Sequence, residues 1–319
     1  MGAPPAGARR GDPRARRSGV SEPREPRTIW VTGATGYIGK AVCEALTKRG
    51  HDVVALVRDA EIAGRLPELA RCRLHQGDLL EPATLTGAAT GVDTVVHLVG
   101  ILRERGMASF ESVVVEGTAA VLAEARRAGA KSILYMSAIG AHRDGPTRYF
   151  RTKARAEELV RSSGLAWLVA RGSVVLGPAG KFFQLLRQLT RFPVVPVPGS
   201  GAFELQPVLL EDVAQALARA VERPEAWNRV YGVCGPRRFT LRELLRRASG
   251  KRRRFLLSIP WPLVVLGAKL GERLLPNPPV TVDELAMLAG GNVCDPGPAE
   301  RAFGLSFGGV EPLLAQVAV

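Results

Sequence analysis

The feature that most constrains this chain is a glycine-rich turn between an apolar run and a helical pattern. Residues 31–39 read VTGATGYIG and place Gly33, Gly36 and Gly39 three residues apart. Glycine permits a tight strand-to-helix turn, a close approach of main-chain amides to a diphosphate, and close packing of the helix on the strand. The N-terminus of the helix adds amide donors and the positive end of its dipole. The turn therefore predicts a strand, a diphosphate cradle and a helix, in that order.

From Thr28 onwards, short β-branched runs alternate with longer stretches of helical periodicity. The predicted strands are residues 28–32, 52–57, 72–76, 94–99, 132–136 and 166–170, and the predicted helices between them are 37–49, 82–88, 110–128 and 149–162. Strands joined by crossover helices are typical of the α/β class, so we predict a doubly wound parallel sheet of the Rossmann type. Because the strands are continuously apolar, we expect helices on both faces. Two later helices are predicted to begin at Thr240 and Thr281, where T-x-x-E can form a capping box.

The chain divides into three predicted regions. Residues 1–27 are rich in Pro, Gly and Arg and have no apolar core, which predicts a disordered basic tail. Residues 28–178 carry the dinucleotide-binding pattern. Residues 179–319 are predicted to form a smaller, mainly helical region that covers the substrate, with 206–233 returning to the sheet. The amphipathic stretch 261–275 is interpreted as a helix over the substrate cleft, and contact with a membrane or a partner is the alternative.

The formal net charge is +14, of which the tail contributes seven arginines against three acidic residues, or +4, and the remainder carries +10. A basic surface attracts anionic ligands, but the sequence contains no nucleic-acid-binding motif, and residues 251–254 are its one tight basic run. We therefore predict no nucleic-acid partner. No apolar stretch reaches the roughly 18 to 20 residues of a membrane span. A cytoplasmic protein is expected, and peripheral association with the inner face of the membrane is the alternative.

The cysteines and histidines are predicted to bind no metal and to form no disulfide. Cys43, Cys72, Cys234 and Cys294 lack the C-x-x-C spacing of zinc and redox sites, and no secretory context accompanies them. The four histidines are equally scattered, and no H-E-x-x-H pattern places two imidazoles on one helical face. A reducing compartment fits isolated thiols best.

The end of the second predicted strand indicates which dinucleotide the chain prefers. Sites selective for NAD place an acidic residue there to bind the ribose hydroxyls, and its charge repels a 2′-phosphate. This sequence has Arg58, whose guanidinium can pair with phosphate and stack on adenine. We therefore predict a preference for NADP(H), with NAD(H) as the alternative if Arg58 is only a solvated surface residue and Asp59 binds the ribose.

Further motifs follow the glycine turn in a recognisable order. They are GDL at residues 77–79, VHLVG at 96–100, EGT at 116–118, MSA at 136–138 and a Y-x-x-x-K pattern at Tyr149 and Lys153. Together they resemble the short-chain dehydrogenase/reductase superfamily in its extended and atypical branches. Residues 170–178, 206–208 and 211–214 also resemble extended members. Residues 275–281 and 291–293 resemble the branch with the NAD(P)H-binding accessory subunit of respiratory complex I and its bacterial relatives, which is similar to NAD-dependent epimerases and dehydratases. The resemblance covers nearly all of the chain after Arg27.

The resemblance implies a role for each motif residue. The implied cofactor-binding residues are Gly33, Thr35, Gly36, Tyr37, Ile38, Gly39, Arg58, Asp78, Leu79, His97, Val99, Gly100 and Lys153. Among them, Asp78 is expected to touch the adenine ring, and His97 to pack beside the cofactor rather than to act as a general base. Tyr149 would exchange a proton with a substrate oxygen, Lys153 would hold the nicotinamide ribose and favour the phenolate, and Ser137 would hydrogen-bond the same oxygen.

One position departs from the dehydrogenase pattern. The family carries Asn before V-x-G-T, where it orders a kink and a water of the proton relay, and this chain has Val114. The leading hypothesis is an NADP(H)-dependent oxidoreductase with a small-molecule substrate that the sequence does not specify. One alternative is a non-catalytic dinucleotide-binding subunit or redox sensor, associated with a respiratory complex. A second alternative is a sugar-nucleotide epimerase or dehydratase, which Arg58 and the apolar stretch 255–275 argue against.

Overall fold

The computed structural model describes residues 26–276 and 278–317. The predicted basic tail lies outside the described residues except for its last two. The strands are β1 (Thr28–Thr32), β2 (Asp52–Val57), β3 (Arg73–Gln76), β4 (Thr94–His97), β5 (Ser132–Ala138), β6 (Ala166–Gly172), β7 (Val175–Leu176), β8 (Val194–Pro198), β9 (Glu204–Leu205), β10 (Val208–Leu209), β11 (Arg229–Val233), β12 (Phe239–Thr240) and β13 (Phe255–Ile259). The helices are α1 (Tyr37–Lys48), α2 (Ala60–Gly64), α3 (Gly117–Arg127), α4 (Arg148–Arg161), α5 (Lys181–Leu189), α6 (Leu210–Ala220), α7 (Leu241–Ala248), α8 (Trp261–Leu274), α9 (Val282–Ala289), α10 (Gly297–Phe303) and α11 (Glu311–Val317).

Seven strands form one parallel sheet in the order β3-β2-β1-β4-β5-β6-β11. This order confirms the predicted doubly wound α/β class. The order in which the strands are added reverses at β1, since β2 and β3 lie on one side of it and β4 lies on the other. Ligands of such sheets bind beyond the carboxyl ends of the strands at this switch point, between β1 and β4. The glycine turn follows β1 directly, so the fold puts it at this position.

Helices cover both faces of the central strands. Val31 points into one core with α1 and α6, and the neighbouring Trp30 points into the opposite core with α3 and α4. A third core lies between α5, α7, α11 and the short strands of the C-terminal region. The prediction of apolar strands covered on both faces fails at the edge strand β3. Among the described strands β3 pairs with β2 alone, and its residues stay partly exposed.

Three predicted segments take a different local form. The predicted helix at 110–128 begins as a π-helical turn, Glu111–Glu116, before it continues as α3. The predicted helix at 82–88 is a 3-10 turn, Pro82–Leu85, because Gly87 with φ +88° turns the chain soon after it. Within residues 206–233, β11 lies in the main sheet beside β6, whereas β10 pairs with β7 in a separate small sheet.

Both predicted capping boxes are present and fix the starts of two C-terminal helices. Thr240 caps α7 with Glu243, and Thr281 caps α9 with Glu284, so each first turn has its amides satisfied. Within the two described ranges, every helix is too short or too polar to traverse a bilayer. The same residues contain no grouping of three or more His, Cys, Asp or Glu side chains suited to a metal ion.

The prediction of four isolated thiols is wrong for one pair. The structure joins Cys234 and Cys294 in a disulfide, with Cα atoms 6.2 Å apart and a sequence separation of 60. Cys234 follows β11, and Gly232 on that strand leaves room for Cys294, since a Cβ at Gly232 would lie 2.8 Å from the Cys294 Sγ. Motif spacing cannot reveal this pair, because tertiary packing alone brings the two segments together. Cys43 and Cys72 are free thiols.

Candidate functional site

The glycine turn has the geometry of an anion cradle. Gly33 adopts φ +75°, and the Gly36 amide donates to the Gly33 carbonyl at 2.9 Å. A Cβ at Gly39 would collide with the Gly33 carbonyl oxygen and lie 2.9 Å from the Ala34 Cα, so only glycine permits this packing of helix on strand. Within residues 26–276 and 278–317, no side chain caps α1, and no acidic residue occupies its first turn. The amides at this helix N-terminus are therefore open to an anionic group, and the cradle fits a diphosphate.

The remaining residues of the turn differ in what they present. Thr35 and Gly36 are exposed at the tip, and Ile38 is half-buried against the core of α1. The Tyr37 side chain turns towards the segment after β7, where a Cβ at Gly180 would lie 2.7 Å from its hydroxyl oxygen. That hydroxyl is buried and has no hydrogen-bond partner among the described residues, and burial raises the pKa of Tyr37 to about 12. Tyr37 thus presents its main-chain amide to the cradle and its ring to the protein.

Arg58 follows β2 at the same edge of the sheet. Its side chain is exposed and makes no hydrogen bond or ion pair with the described part of the chain. Asp59, the alternative ribose-binding residue, caps α2 by accepting a hydrogen bond from the Ile62 amide at 2.9 Å. The geometry therefore leaves Arg58 available for a ligand and engages Asp59 in the protein.

Asp78 and Leu79 lie in the neighbouring loop, after β3. The Asp78 carboxylate accepts from the Leu80 amide at 3.0 Å, and its own amide donates to the Thr84 hydroxyl at 2.9 Å. Leu79 is buried against α3, where a Cβ at Gly117 would lie 3.3 Å from its Cβ. These contacts fix the loop beside the end of β2, since Val57 pairs with Gln76.

His97 ends β4 but lies inside the protein. It is fully buried, with Nδ1 2.5 Å from the Thr32 hydroxyl and Nε2 3.0 Å from the Thr118 hydroxyl, and its ring stacks on Tyr135. Because the Thr118 hydroxyl donates to the Val114 carbonyl, it accepts from Nε2, and Nδ1 accepts from Thr32. Burial lowers the pKa of His97 to about 3, so the ring is neutral. The side chain joins β1, β4 and α3 and is not exposed to a ligand.

Tyr149 and Lys153 lie one turn apart on α4, whose N-terminus is capped by Thr147. Lys153 is buried. Its ammonium donates to the Met136 carbonyl at 2.9 Å and lies 4.7 Å from the centre of the Tyr135 ring. Burial lowers the pKa of Lys153 to about 8. The ammonium also adjoins the VHLVG motif at residues 96–100, since a Cβ at Gly100 would lie 3.2 Å from its nitrogen.

The Tyr149 ring is half-buried among aromatic neighbours. It lies 5.9 Å from Phe110 and 5.5 Å from Phe150, measured between ring centres. Burial raises the pKa of Tyr149 to about 12. The sequence predicts that Lys153 favours the phenolate, but in this structure desolvation dominates and the phenol keeps its proton at neutral pH.

Ser137 faces a different group from the one expected. Its hydroxyl donates to the Glu157 carboxylate at 2.6 Å, and Arg171 binds the same carboxylate through two hydrogen bonds of 2.8 and 2.7 Å. Arg161 adds a third cationic contact at 2.7 Å. Ser137 is thus committed to the protein rather than open to a substrate. Glu157 was missed by motif comparison, although its position four residues after Lys153 places it on the same face of α4.

Val114 occupies the place of the family's Asn and is fully buried in the π-helical turn. Its carbonyl accepts from the Thr118 hydroxyl at 2.5 Å. The π-helical turn therefore distorts the backbone at this position, although the Asn side chain that orders the kink in the family is absent. The polar side chain that would hold a relay water is replaced by an apolar one.

A cleft of about 440 Å³ adjoins this site, because Phe110 contacts Tyr149 and also lines the cleft. Its lining residues are Leu102, Arg103, Glu104, Arg105, Phe110, Glu272, Leu275, Pro276, Pro278, Thr281, Val282 and Asp283. Arg103 closes one side, since it binds Glu284 at 2.7 and 2.6 Å and the Pro278 carbonyl at 2.7 Å. A larger open depression is lined in part by Asp212 and Arg301. Its lining includes no residue of the glycine turn and neither Tyr149 nor Lys153.

Comparison with known proteins gives one family match and several relatives. The NAD(P)H-binding family matches residues 33–224, from the first glycine of the cradle to the end of α6 and beyond. The chain is 26% identical over 240 residues to NADH dehydrogenase (ubiquinone) 1 alpha subcomplex subunit 9, mitochondrial, of Mus musculus, which covers 74% of this chain and 64% of that protein. It is 29% identical over 208 residues to an NAD(P)H azoreductase of Xenophilus azovorans, covering 65% of this chain and 68% of that protein.

Among solved structures, an NADPH-dependent quinone oxidoreductase of Escherichia coli complexed with NADPH superposes with a TM-score of 0.72. That similarity covers 91% of this chain and 99% of the other at 22% identity, and it shows a shared fold. The family match extends over more than half of the chain and begins at the cradle itself. The match to the complex I subunit agrees with the resemblance that the motifs indicated. The chain belongs to the NAD(P)H-binding family.

Proposed function

We propose that this chain is an NADP(H)-dependent oxidoreductase that reduces a small, largely apolar substrate in the cleft beside Tyr149. The observation that carries the proposal is the common location of three features at one edge of the sheet. The open cradle follows β1, the exposed Arg58 follows β2, and the Lys153 ammonium lies beside Gly100 in the loop after β4. The names of the two relatives, an azoreductase and a quinone oxidoreductase, support a reductase.

Each residue has a defined task in this proposal. When bound, the dinucleotide supplies the hydride. The cradle amides bind the diphosphate, and Arg58 binds the 2′-phosphate through charge-assisted hydrogen bonds. Lys153 binds a ribose hydroxyl near Gly100. Because the pKa of Tyr149 is about 12, its phenol is protonated at neutral pH and can donate a proton to a substrate oxygen or nitrogen, which suits reduction better than oxidation.

The lining of the cleft limits the substrate. Leu102, Leu275 and Pro276 supply apolar walls. Its charged lining has three carboxylates, Glu104, Glu272 and Asp283, against the guanidiniums of Arg103 and Arg105, and this negative balance disfavours a nucleoside diphosphate. These features favour a reductase of apolar or aromatic compounds over a sugar-nucleotide epimerase.

Arg58 is tested by isothermal titration with both coenzymes. Loss of a bidentate phosphate contact costs about 1.5 to 3 kcal/mol, so we expect Arg58→Ala to weaken NADPH binding by roughly tenfold to a hundredfold and to leave NADH binding unchanged. Arg71→Ala is the matched control. Arg71 is also exposed, but it precedes β3 and therefore lies at the amino ends of the strands, whereas Arg58 lies at their carboxyl ends. Equal weakening of both coenzymes would contradict the assignment of Arg58.

Tyr149 is tested separately from binding. We expect Tyr149→Phe to bind NADPH as the native protein does and to lower kcat for an NADPH-dependent quinone or azo-dye reduction by about 10²- to 10⁴-fold. Phe110→Leu, at the cleft wall, provides a control that changes substrate affinity more than kcat. An unchanged kcat in Tyr149→Phe would remove Tyr149 from the chemistry.

A second candidate function is a non-catalytic dinucleotide-binding subunit of a respiratory assembly. The observation that favours it is the buried Val114, which deprives the site of the polar group that holds a relay water. The complex I subunit among the relatives also supports it. Tight NADPH binding combined with failure to reduce quinones, azo dyes and carbonyl compounds would favour this candidate over the enzyme.

A further inference from the structure

Helix α8 carries more exposed leucines than any other helix of the described residues. Four leucines on it, Leu263, Leu266, Leu270 and Leu274, are 57%, 53%, 48% and 76% exposed, and Ala268 is the only buried residue of the helix. Contiguous exposed apolar surface of this kind marks an interaction site in a soluble protein.

The four leucines form one outward stripe. At 100° per residue, Leu266, Leu270 and Leu274 project within about 60° of Leu263, whereas the buried Ala268 projects about 140° away. The stripe therefore points away from the protein. By the same geometry Lys269 and Arg273 project together along one flank of the stripe, and both are exposed.

The strand before α8 continues this surface. In β13, Phe255 and Leu257 are 65% and 42% exposed, and they pair with the exposed Val194 and Pro196 of β8. Only Pro260 separates β13 from α8. The exposed apolar side chains of β13 and α8 thus follow one another along the chain, and together we call them the α8 surface: Phe255, Leu257, Leu263, Leu266, Leu270 and Leu274.

A basic run lies next to the α8 surface. Lys251, Arg252 and Arg253 are exposed, directly precede β13, and make no ion pair with the described residues. Glu272, the one acidic residue of α8, accepts a hydrogen bond from the Val282 amide at 2.8 Å. The surface therefore combines exposed leucines with unpaired positive charge.

We propose that the α8 surface and the basic run dock this protein peripherally on an anionic lipid surface. An amphipathic helix with leucines on one side and basic residues beside them binds at the headgroup boundary, where apolar burial and attraction to anionic lipids add. Fourteen residues are too few to span a bilayer. A second copy of the chain would carry the same positive charge, so self-association through this face brings like charges together.

The test is flotation of the full chain with vesicles of phosphatidylcholine alone or mixed with phosphatidylglycerol. We expect flotation with the mixed vesicles only, and loss of flotation at high salt. Leu266→Gln/Leu270→Gln should weaken binding at least roughly tenfold, since each leucine contributes apolar burial. Ile62→Gln is the control, because Ile62 is 61% exposed on α2. Native NADPH binding and an unchanged melting curve establish that the double variant is folded.

The charge is tested with two triple variants of equal net charge. Lys251→Gln/Arg252→Gln/Arg253→Gln should weaken binding by roughly tenfold or more. Removing three exposed arginines elsewhere, with Arg71→Gln/Arg126→Gln/Arg143→Gln, should leave it unchanged.

Three results would overturn the proposal. One is native-like flotation of Leu266→Gln/Leu270→Gln. Another is equal weakening by the two triple variants, which would show attraction by overall charge. The third is a native protein that does not float but forms a dimer that Leu266→Gln/Leu270→Gln dissociates in sedimentation, which would make the α8 surface a contact between copies.

Discussion

Helices α4 and α8 both have 14 residues, yet the more polar of the two is the more buried. Helix α4 buries seven residues against β5 and α3, including the charged Lys153 and Glu157, whereas α8 buries only Ala268. Burial follows from what packs on a helix and not from its composition alone. A polar side chain held inside α4 and an apolar one left outside on α8 both cost free energy in an unliganded protein. The two helices therefore mark the two places where a ligand or a surface is expected.

The largest difference between α4 and α8 is expected when the disulfide is removed. The disulfide closes a loop of the chain that contains α8, whereas α4 lies outside that loop. Closing a loop of 60 residues contributes about 4 kcal/mol in the chain-entropy description. We expect Cys234→Ala/Cys294→Ala to lower the free energy of unfolding by that amount in urea titrations. Hydrogen exchange should accelerate in α8 and α9 and stay slow in α4.

The native protein treated with reductant should match this double variant, and the variant itself should not respond to reductant. Equal acceleration of exchange in α4 and α8 would show that the bond stabilises the whole molecule and does not hold one region.

A smaller effect is expected from the charge of Lys153 on α4. Its pKa is about 8 in the folded chain against an ordinary 10.5, so the unfolded chain binds more protons between these values and stability rises with pH there. The cost of the buried ammonium is full below pH 8 and is lost by pH 10.5. Relative to Lys153→Met, the native protein without coenzyme should gain about 3 kcal/mol across this window.

Urea titrations at both ends of the window measure this gain. Lys131→Met is the control, because the Lys131 side chain is 82% exposed. Parallel pH profiles of the native protein and Lys153→Met would show that the ammonium is solvated, and Lys153 would then not be a buried charge of α4.

The smallest difference compares one substitution on each helix. Glu157→Gln on α4 removes the charge that binds Ser137 and Arg171, and because Arg171 is one third exposed we expect a loss of about 2 kcal/mol. Leu270→Gln on α8 should change the free energy of unfolding by less than about 0.5 kcal/mol, since its side chain already contacts water. Similar losses from both substitutions in chemical denaturation would contradict the contrast between the helices.

The predictions from sequence succeeded where the determining interactions are local. The strand–turn–helix at Gly33 to Gly39 and the capping boxes at Thr240 and Thr281 depend on residues within one or two turns of each other. The central strands followed from continuous apolar runs. The edge position of β3 did not, because a strand's neighbours are set by the order of the whole sheet.

The candidate site was predictable as a set of positions and less so as a set of contacts. The placing of the cradle, Arg58 and Lys153 at one edge follows from parallel topology, since carboxyl ends of parallel strands meet there. The contact of Ser137 with Glu157 depends on how α4 sits on β5, and the burial of His97 depends on Thr32 and Thr118 from two other elements.

The sequence by itself determined the parallel α/β class, the cradle and the basic residue that follows β2, because glycine conformation, hydrophobic periodicity and helix capping act over short distances. Only the tertiary structure decided that Cys234 meets Cys294, that Glu157 takes the Ser137 hydroxyl, and that the leucines of α8 face outward. These outcomes depend on which surfaces pack together across many tens of residues. Packing of that kind is set by the competition of all apolar and polar groups for burial, which no local pattern records.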